Sequence, residues 1–108
     1  MHIQHLINGK PVDSAARFET VNPATQDVLA TVAAGGEAEV NAAVAAAKAA
    51  FDDGRWSKAT PGERSGVLWK MADIIEARAD ELAKIETEDT GKPYEFISKG
   101  GDLPFVVD

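Results

Sequence analysis

Glu86, Glu88 and Asp89 place three carboxylates within four positions, at the end of an apolar-periodic run that closes on Gly91-Lys92-Pro93. Acids at a helix C-terminus face the negative end of the macrodipole, so a bound cation or a nearby base such as Lys92 would relieve them. The plainer alternative is a solvated acidic face. Asp89 is the best placed of the three to hold a cation. It follows Leu82 by seven residues and Ile85 by four, which is expected to turn it partly inward. The two histidines, His2 and His5, are three residues apart. On one strand that offset sends them to opposite faces, so they make poor joint metal ligands and are expected to be solvent-exposed and non-functional.

The glycines fail as a phosphate cradle. Neither Gly35-Gly36 nor Gly100-Gly101 is followed by Lys-Ser/Thr, Gly91-Lys92 runs into Pro93, and no Gly-x-Gly-x-x-Gly occurs. Turn and cap roles are expected for them instead. With no cysteine in the chain there is no disulfide, no thiolate ligand and no thiol nucleophile, in keeping with a reducing compartment. Trp56 and Trp69 are expected in packing rather than in ligand binding.

The elements that must position these groups change character near Gly35. Ile3 to Ile7 and Lys10 to Val12 flank Asn8-Gly9, the pair suited to a type I′ turn, and predict a hairpin. Phe18 to Val21 and Val28 to Val32, around Asn22-Pro23-Ala24-Thr25, predict a second. Beyond Gly36 the period shifts to that of helices. Val40, Val44, Ala47 and Phe51 share one face of a helix over about 37–51, whose other positions are mostly alanine. Thr60, Pro61 and Glu63 form a capping box with proline in the first turn, opening a helix that carries Val67, Leu68, Met71, Ile74 and Ile75 and has Arg78 near its end. A third helix is expected from about Asp80, with Leu82 and Ile85 inward, ending at Gly91. Asp102 to Val107 reads as the start of a fourth, cut short. The fold class is therefore α/β, with two β-hairpins over 1–34 and three to four helices over 35–108, in one domain.

At 108 residues and 11.4 kDa the chain is long enough for a modest core. Its 44% hydrophobic and 27% charged residues are ordinary globular usage. The net charge of -7 disfavours nucleic acid and anionic membranes as partners. No run is long enough to span a bilayer and the N-terminus lacks the parts of a signal peptide, so the cytoplasm is the expected location.

Leu6-Ile7-Asn8-Gly9-Lys10-Pro11-Val12, Val21-Asn22-Pro23-Ala24-Thr25, the Ala-rich helix to Phe51 and Trp56, Arg64 to Glu76, and Asp89-Thr90-Gly91-Lys92-Pro93 follow one another in an order and spacing that resembles the beginning of the aldehyde dehydrogenase superfamily. The likeness covers nearly the whole chain. Gly35-Gly36-Glu37-Ala38-Glu39-Val40 looks like enzymes acting on carboxymethyl-hydroxymuconate semialdehyde, whereas Gly101-Asp102-Leu103-Pro104 looks like aminobutyraldehyde or betaine aldehyde relatives. The resemblance implies the N-terminal part of an NAD(P)-binding domain. It also implies oxidation of an aldehyde to its acid with NAD or NADP, through a thiohemiacetal on a cysteine and hydrolysis helped by a glutamate. No position here matches those catalytic or cofactor-binding groups, so the segment alone is expected to be inactive. The resemblance implies one site on this chain, a monovalent-cation site built from a backbone carbonyl at Val21 and the carboxylate of Asp89. The resemblance further implies a small-molecule aldehyde as partner and a homo-oligomer at full length. It also implies a cofactor-binding sheet for the apolar faces to pack against. Two other readings stay open: a helical interaction module using the Ala-rich helix or the Phe105 to Val107 end, and an inert truncated remnant.

Overall fold

The computed structural model describes residues 1–108. In chain order it contains β1 (His2–Ile3), β2 (His5–Ile7), β3 (Lys10–Val12), β4 (Arg17–Val21), β5 (Val28–Ala33), α1 (Glu37–Asp53), α2 (Pro61–Ala77), α3 (Ala79–Thr90), a π-helical segment (Tyr94–Asp102) and α4 (Leu103–Val107). This is the mixed α/β arrangement of hairpins and then helices that the periodicity predicts. The chain groups into two compact units, one formed by Met1–Thr20 with Val28–Ala59 and the other by Val21–Asp27 with Thr60–Asp108.

In the first unit Asn8 (φ 52°) and Gly9 (φ 72°) both take positive φ, the requirement of a two-residue type I′ loop. That turn sets the β2–β3 register as His5↔Val12, Leu6↔Pro11 and Ile7↔Lys10. The strand expected from Ile3 to Ile7 is broken at Gln4. Its first part pairs parallel with β5 (His2↔Thr31, Ile3↔Val32), giving a three-stranded sheet of order β1-β5-β4 beside the separate two-stranded hairpin. Ala30 and Ala33 of β5, the central strand, are buried.

The break corrects the expectation for the histidines in part: they do not share a strand, and His2 is exposed as expected whereas His5 is not. His2 Nε2 lies 3.0 Å from Asp13 Oδ1 and Nδ1 lies 3.1 Å from Thr31 Oγ1. His5 is half-buried, and its Nε2 is enclosed without a hydrogen-bond partner.

Helix α1 starts where the Glu39 carboxylate accepts from the Gly36 N–H at 2.7 Å. It ends at Gly54, whose φ of 83° is the left-handed conformation of a C-terminal stop. Its predicted apolar face forms but is not covered within the chain: Val40, Val44 and Phe51 are exposed.

In the second unit the Asn22 side chain accepts from the N–H groups of Ala24 (2.9 Å) and Thr25 (3.3 Å), and Asn22 N–H donates to the Asp27 carbonyl at 2.9 Å. These bonds hold the turn between β4 and β5. The capping box of α2 is present: Thr60 Oγ1 accepts from the Glu63 N–H, and the Glu63 carboxylate accepts from the Thr60 N–H at 2.8 Å. Helix α3 begins directly after Arg78, whose guanidinium donates to Glu81 at 2.9 and 2.6 Å.

The covered face of α3 is not the one expected. Ala83 is fully buried and Ala79, Leu82, Glu86 and Thr87 are half-buried, a stripe at steps of three and four. Ile85 and Asp89 lie off that stripe and are exposed. The reason is the π-helical segment, which packs on α3: Ala83 of the helix and Ser98 of the segment are both fully buried, and Thr87 Oγ1 donates to Ser98 Oγ at 3.0 Å.

Candidate functional site

The end of α3 brings together Glu86, Glu88, Asp89 and Lys92, and Asp102 joins them through Lys92. Gly91 stops the helix with φ 78°, and its N–H donates to the Thr87 carbonyl at 2.9 Å. A Cβ on Gly91 would meet the Pro23 ring at 2.9 Å. The Val21-Asn22-Pro23 turn therefore lies directly against the point where α3 stops, two residues from Asp89.

From this stop the chain carries Lys92 back along the helix. Its ammonium donates to Glu86 Oε1 and to Asp102 Oδ2, both at 2.7 Å. Two carboxylates on one ammonium hold Lys92 far above its ordinary range, Asp102 contributing most, and the same bond holds the Asp102 carboxyl below its own. A second cluster ties the other end of α3 to the same segment. Asp80 accepts from Lys99 Nζ at 2.7 Å and from the Tyr94 hydroxyl at 3.2 Å, while Lys99 lies 5.7 Å from the Tyr94 ring centre. Lys99 lowers the Asp80 carboxyl and is itself raised by it; loss of solvent, followed by the charge of Asp80, raises the Tyr94 phenol.

The acidic cluster seen in the sequence is thus divided. Glu86 is taken by Lys92, and Glu88 faces Lys84 at 3.9 Å. For Glu86 the relieving charge is a protein base. No group of three or more His, Asp or Glu side chains gathers as a metal cage. Sequence reasoning missed Asp102 and the Asp80–Tyr94–Lys99 cluster. Asp102, Tyr94 and Lys99, respectively 10, 14 and 19 positions from their partners, lie beyond the helix stop at Gly91, so no helical periodicity links them, and they become neighbours only because the segment after Pro93 doubles back on α3.

That segment has a wide turn for a steric reason. Ser98 N–H donates to the Pro93 carbonyl at 3.2 Å and Leu103 N–H to the Ser98 carbonyl, five residues back in each case. A Cβ on Gly100 would stand 2.6 Å from the Glu95 carbonyl oxygen. Gly100 is thus committed to packing, as Gly36 is to starting α1, and neither is free to cradle a phosphate.

The model of the aldehyde dehydrogenase family matches residues 11–107. The chain belongs to the aldehyde dehydrogenase family. It is 50% identical over 96 residues to aldehyde dehydrogenase family 2 member B4, mitochondrial, of Arabidopsis thaliana, covering 87% of this chain and 18% of that protein. To the 5-carboxymethyl-2-hydroxymuconate semialdehyde dehydrogenase of Escherichia coli it is 47% identical over 91 residues, covering 84% of this chain and 19% of that one. An NAD+ complex of an aldehyde dehydrogenase from Bacillus cereus superposes with a TM-score of 0.90 at 42% identity, over 96% of this chain and 21% of that one. The chain spans about a fifth of the length of these relatives. In this aldehyde dehydrogenase segment no helix is long and apolar enough to cross a membrane.

Proposed function

We propose that this segment is the scaffold-forming opening of an NAD- or NADP-dependent aldehyde dehydrogenase and contributes no reacting group. The observation that carries this reading is the family match over residues 11–107 of a chain without cysteine. Thiohemiacetal chemistry needs a thiolate, so the nucleophile, the hydrolytic glutamate and the dinucleotide cradle belong to other parts of a family enzyme. The glycines here do not fit a pyrophosphate, and no step runs through the cofactor on these residues.

What these residues offer chemically is a place for a monovalent cation, at the Val21 carbonyl and the Asp89 carboxylate. Both are hard oxygen donors. The contact of Gly91 with Pro23 supports the pairing, because it brings the Val21 turn to the C-terminal end of α3, where the helix dipole favours positive charge. A cation there would fasten the turn to the helix end. The substrate class is a small aldehyde, the setting the cytoplasm, and the enzyme a homo-oligomer of longer chains.

Two measurements test this. The 108-residue chain mixed with NAD+ or NADP+ and a panel of aldehydes is expected to form no reduced cofactor; turnover by this chain would refute the scaffold role. Sodium or potassium, against a bulky organic cation at equal ionic strength, is expected to raise the melting temperature of the native chain and not of Asp89→Asn. An equal response from both proteins would remove the cation site and leave the scaffold reading standing.

A further inference from the structure

The hairpin tip carries chemistry of its own. Asn8 and Gly9 are both exposed, and a Cβ on Gly9 would meet nothing within 4 Å. A backbone amide followed by no side chain is the least hindered nucleophile a chain can present to the carboxamide before it. We propose that Asn8-Gly9 is a self-modification site, at which the chain deamidates and isomerises.

In the first step the Gly9 backbone nitrogen bonds to Asn8 Cγ and the Cγ–Nδ2 bond breaks. Ammonia leaves with the Gly9 amide proton, closing a five-membered imide. Water then opens the imide at either carbonyl, returning a proton to the nitrogen and leaving aspartate or isoaspartate. The left-handed turn must open for the nitrogen to reach Cγ. The hairpin allows this, because β2 and β3 share a ladder of only three residues each and pair with no other strand, so the tip can open locally while β2 keeps its packing on α1.

The other candidates in the chain are blocked. Asn22 precedes Pro23, whose nitrogen carries no proton, and its side chain already accepts from Ala24 and Thr25. Asn41 lies inside α1, where the next amide is locked in the helix. At Asp53-Gly54, which could isomerise by the same ring, the Gly54 N–H donates to the Phe51 carbonyl at 3.2 Å. The Asp53 carboxylate is held by the Arg55 guanidinium and by the Arg55 N–H at 2.9 Å, and Arg55 keeps it ionised and a poor electrophile.

The two products differ in consequence. Asp-Gly suits a type I′ turn as Asn-Gly does, so aspartate retains the Ile7↔Lys10 register at the cost of one more negative charge. Isoaspartate inserts an extra backbone carbon, which a two-residue loop cannot absorb.

The test is to hold the folded protein in mildly alkaline buffer and map it by peptide mass spectrometry, isoaspartyl methylation and ammonia release. The expected result is a mass gain of OH for NH2 at Asn8, absent at Asn22 and Asn41, with isoaspartate among the products. Loss of hydrogen-exchange protection at Ile7 and Lys10 is expected only in the isoaspartyl fraction. Asn8→Gln, which cannot close the same ring, is expected to abolish the gain. An unchanged Asn8 in the folded chain while the urea-unfolded chain converts would overturn the proposal, as would equal conversion at Asn41.

Discussion

Helices α1 and α3 meet the same physical demand in opposite ways. Helix α1 is 17 residues long, has a cap at its start and a left-handed glycine at its end, and buries none of its residues. Helix α3 has only 12 residues, yet it buries Ala83 completely and is tied at both ends to the segment that follows, through Asp80 and Glu86. Burial within this chain therefore comes from small residues that let backbones approach, not from the large apolar side chains. Val44, Phe51, Leu68, Trp69 and Phe105 are all more than half exposed. A chain whose large hydrophobics lie outside its own core has surfaces built for cover by further protein. On the proposed scaffold role such surfaces would meet other parts of a family enzyme, and α3 with its π-helical partner is expected to be the more self-sufficient region.

The sharpest way to break the contrast is Ala83→Leu. Extra methylenes at a position with no accessible surface should cost about 1–3 kcal/mol. Urea unfolding should show it, together with lost hydrogen-exchange protection over 94–102. An unchanged midpoint would mean that α3 is no more self-supporting than α1. Gly91→Ala comes next. It imposes a left-handed conformation on a residue with a Cβ, costing about 1–2 kcal/mol, and drives that Cβ toward Pro23. Its effect should reach the Asn22 turn as well as the helix end. If only the helix end loosened, the packing of the turn against Gly91 would not be energetically coupled to the stop.

A smaller effect is expected at Lys92, whose side chain is half-exposed and whose pairing water therefore weakens. The sign follows from the shifts. The Asp102 carboxyl is lowered by Lys92, so the pair's contribution is complete above the ordinary aspartate value of 3.8 and is lost as pH falls through the depressed one. Lys92 is raised, so at the other extreme the contribution is complete below the ordinary lysine value of 10.5 and is lost as pH rises through the elevated one. Hydrogen-exchange protection of the 94–102 segment should therefore fall on acidification in the native chain. In Lys92→Met it should begin lower and vary less with pH. Parallel profiles would show that the ion pairs do not hold the segment.

The parts of this fold that rest on local rules were legible in the sequence. Asn8-Gly9 specified its turn, Thr60 to Glu63 its cap, and Gly91 its stop, because each needs only neighbours within four residues. The misjudged features depend on distant partners. Period alone places Leu82, Ile85 and Asp89 inward, and Leu82 does lie on the covered stripe, but Ile85 and Asp89 do not, because a helix with apolar residues at several phases is turned by whatever packs on it. Here the wide turn after Pro93 chose the Ala83 side. That turn was itself illegible, since its cause is an approach of Gly100 to a carbonyl five residues back. The break at Gln4, which sends β1 to β5, is likewise a choice of long-range partner. For the candidate cation site, the Asp-Thr-Gly-Lys-Pro motif located the helix end, whereas nothing local tied Lys92 to Asp102.

The least disruptive test lies on α1 and defines the other side of the comparison. Phe51 is 69% exposed in the last turn of a helix with no buried residue, and Phe and Ser have similar intrinsic helix propensities. Phe51→Ser should leave the unfolding midpoint of this chain within about 0.5 kcal/mol of the native value, as exposed substitutions usually do. Its self-association on concentration should fall, because an uncovered apolar residue has been removed. The same substitution within a full-length family enzyme should be far more costly if that surface is covered there. A large loss of stability in the 108-residue chain would show instead that α1 buries Phe51 against its own unit in solution, and the contrast between the two helices would disappear.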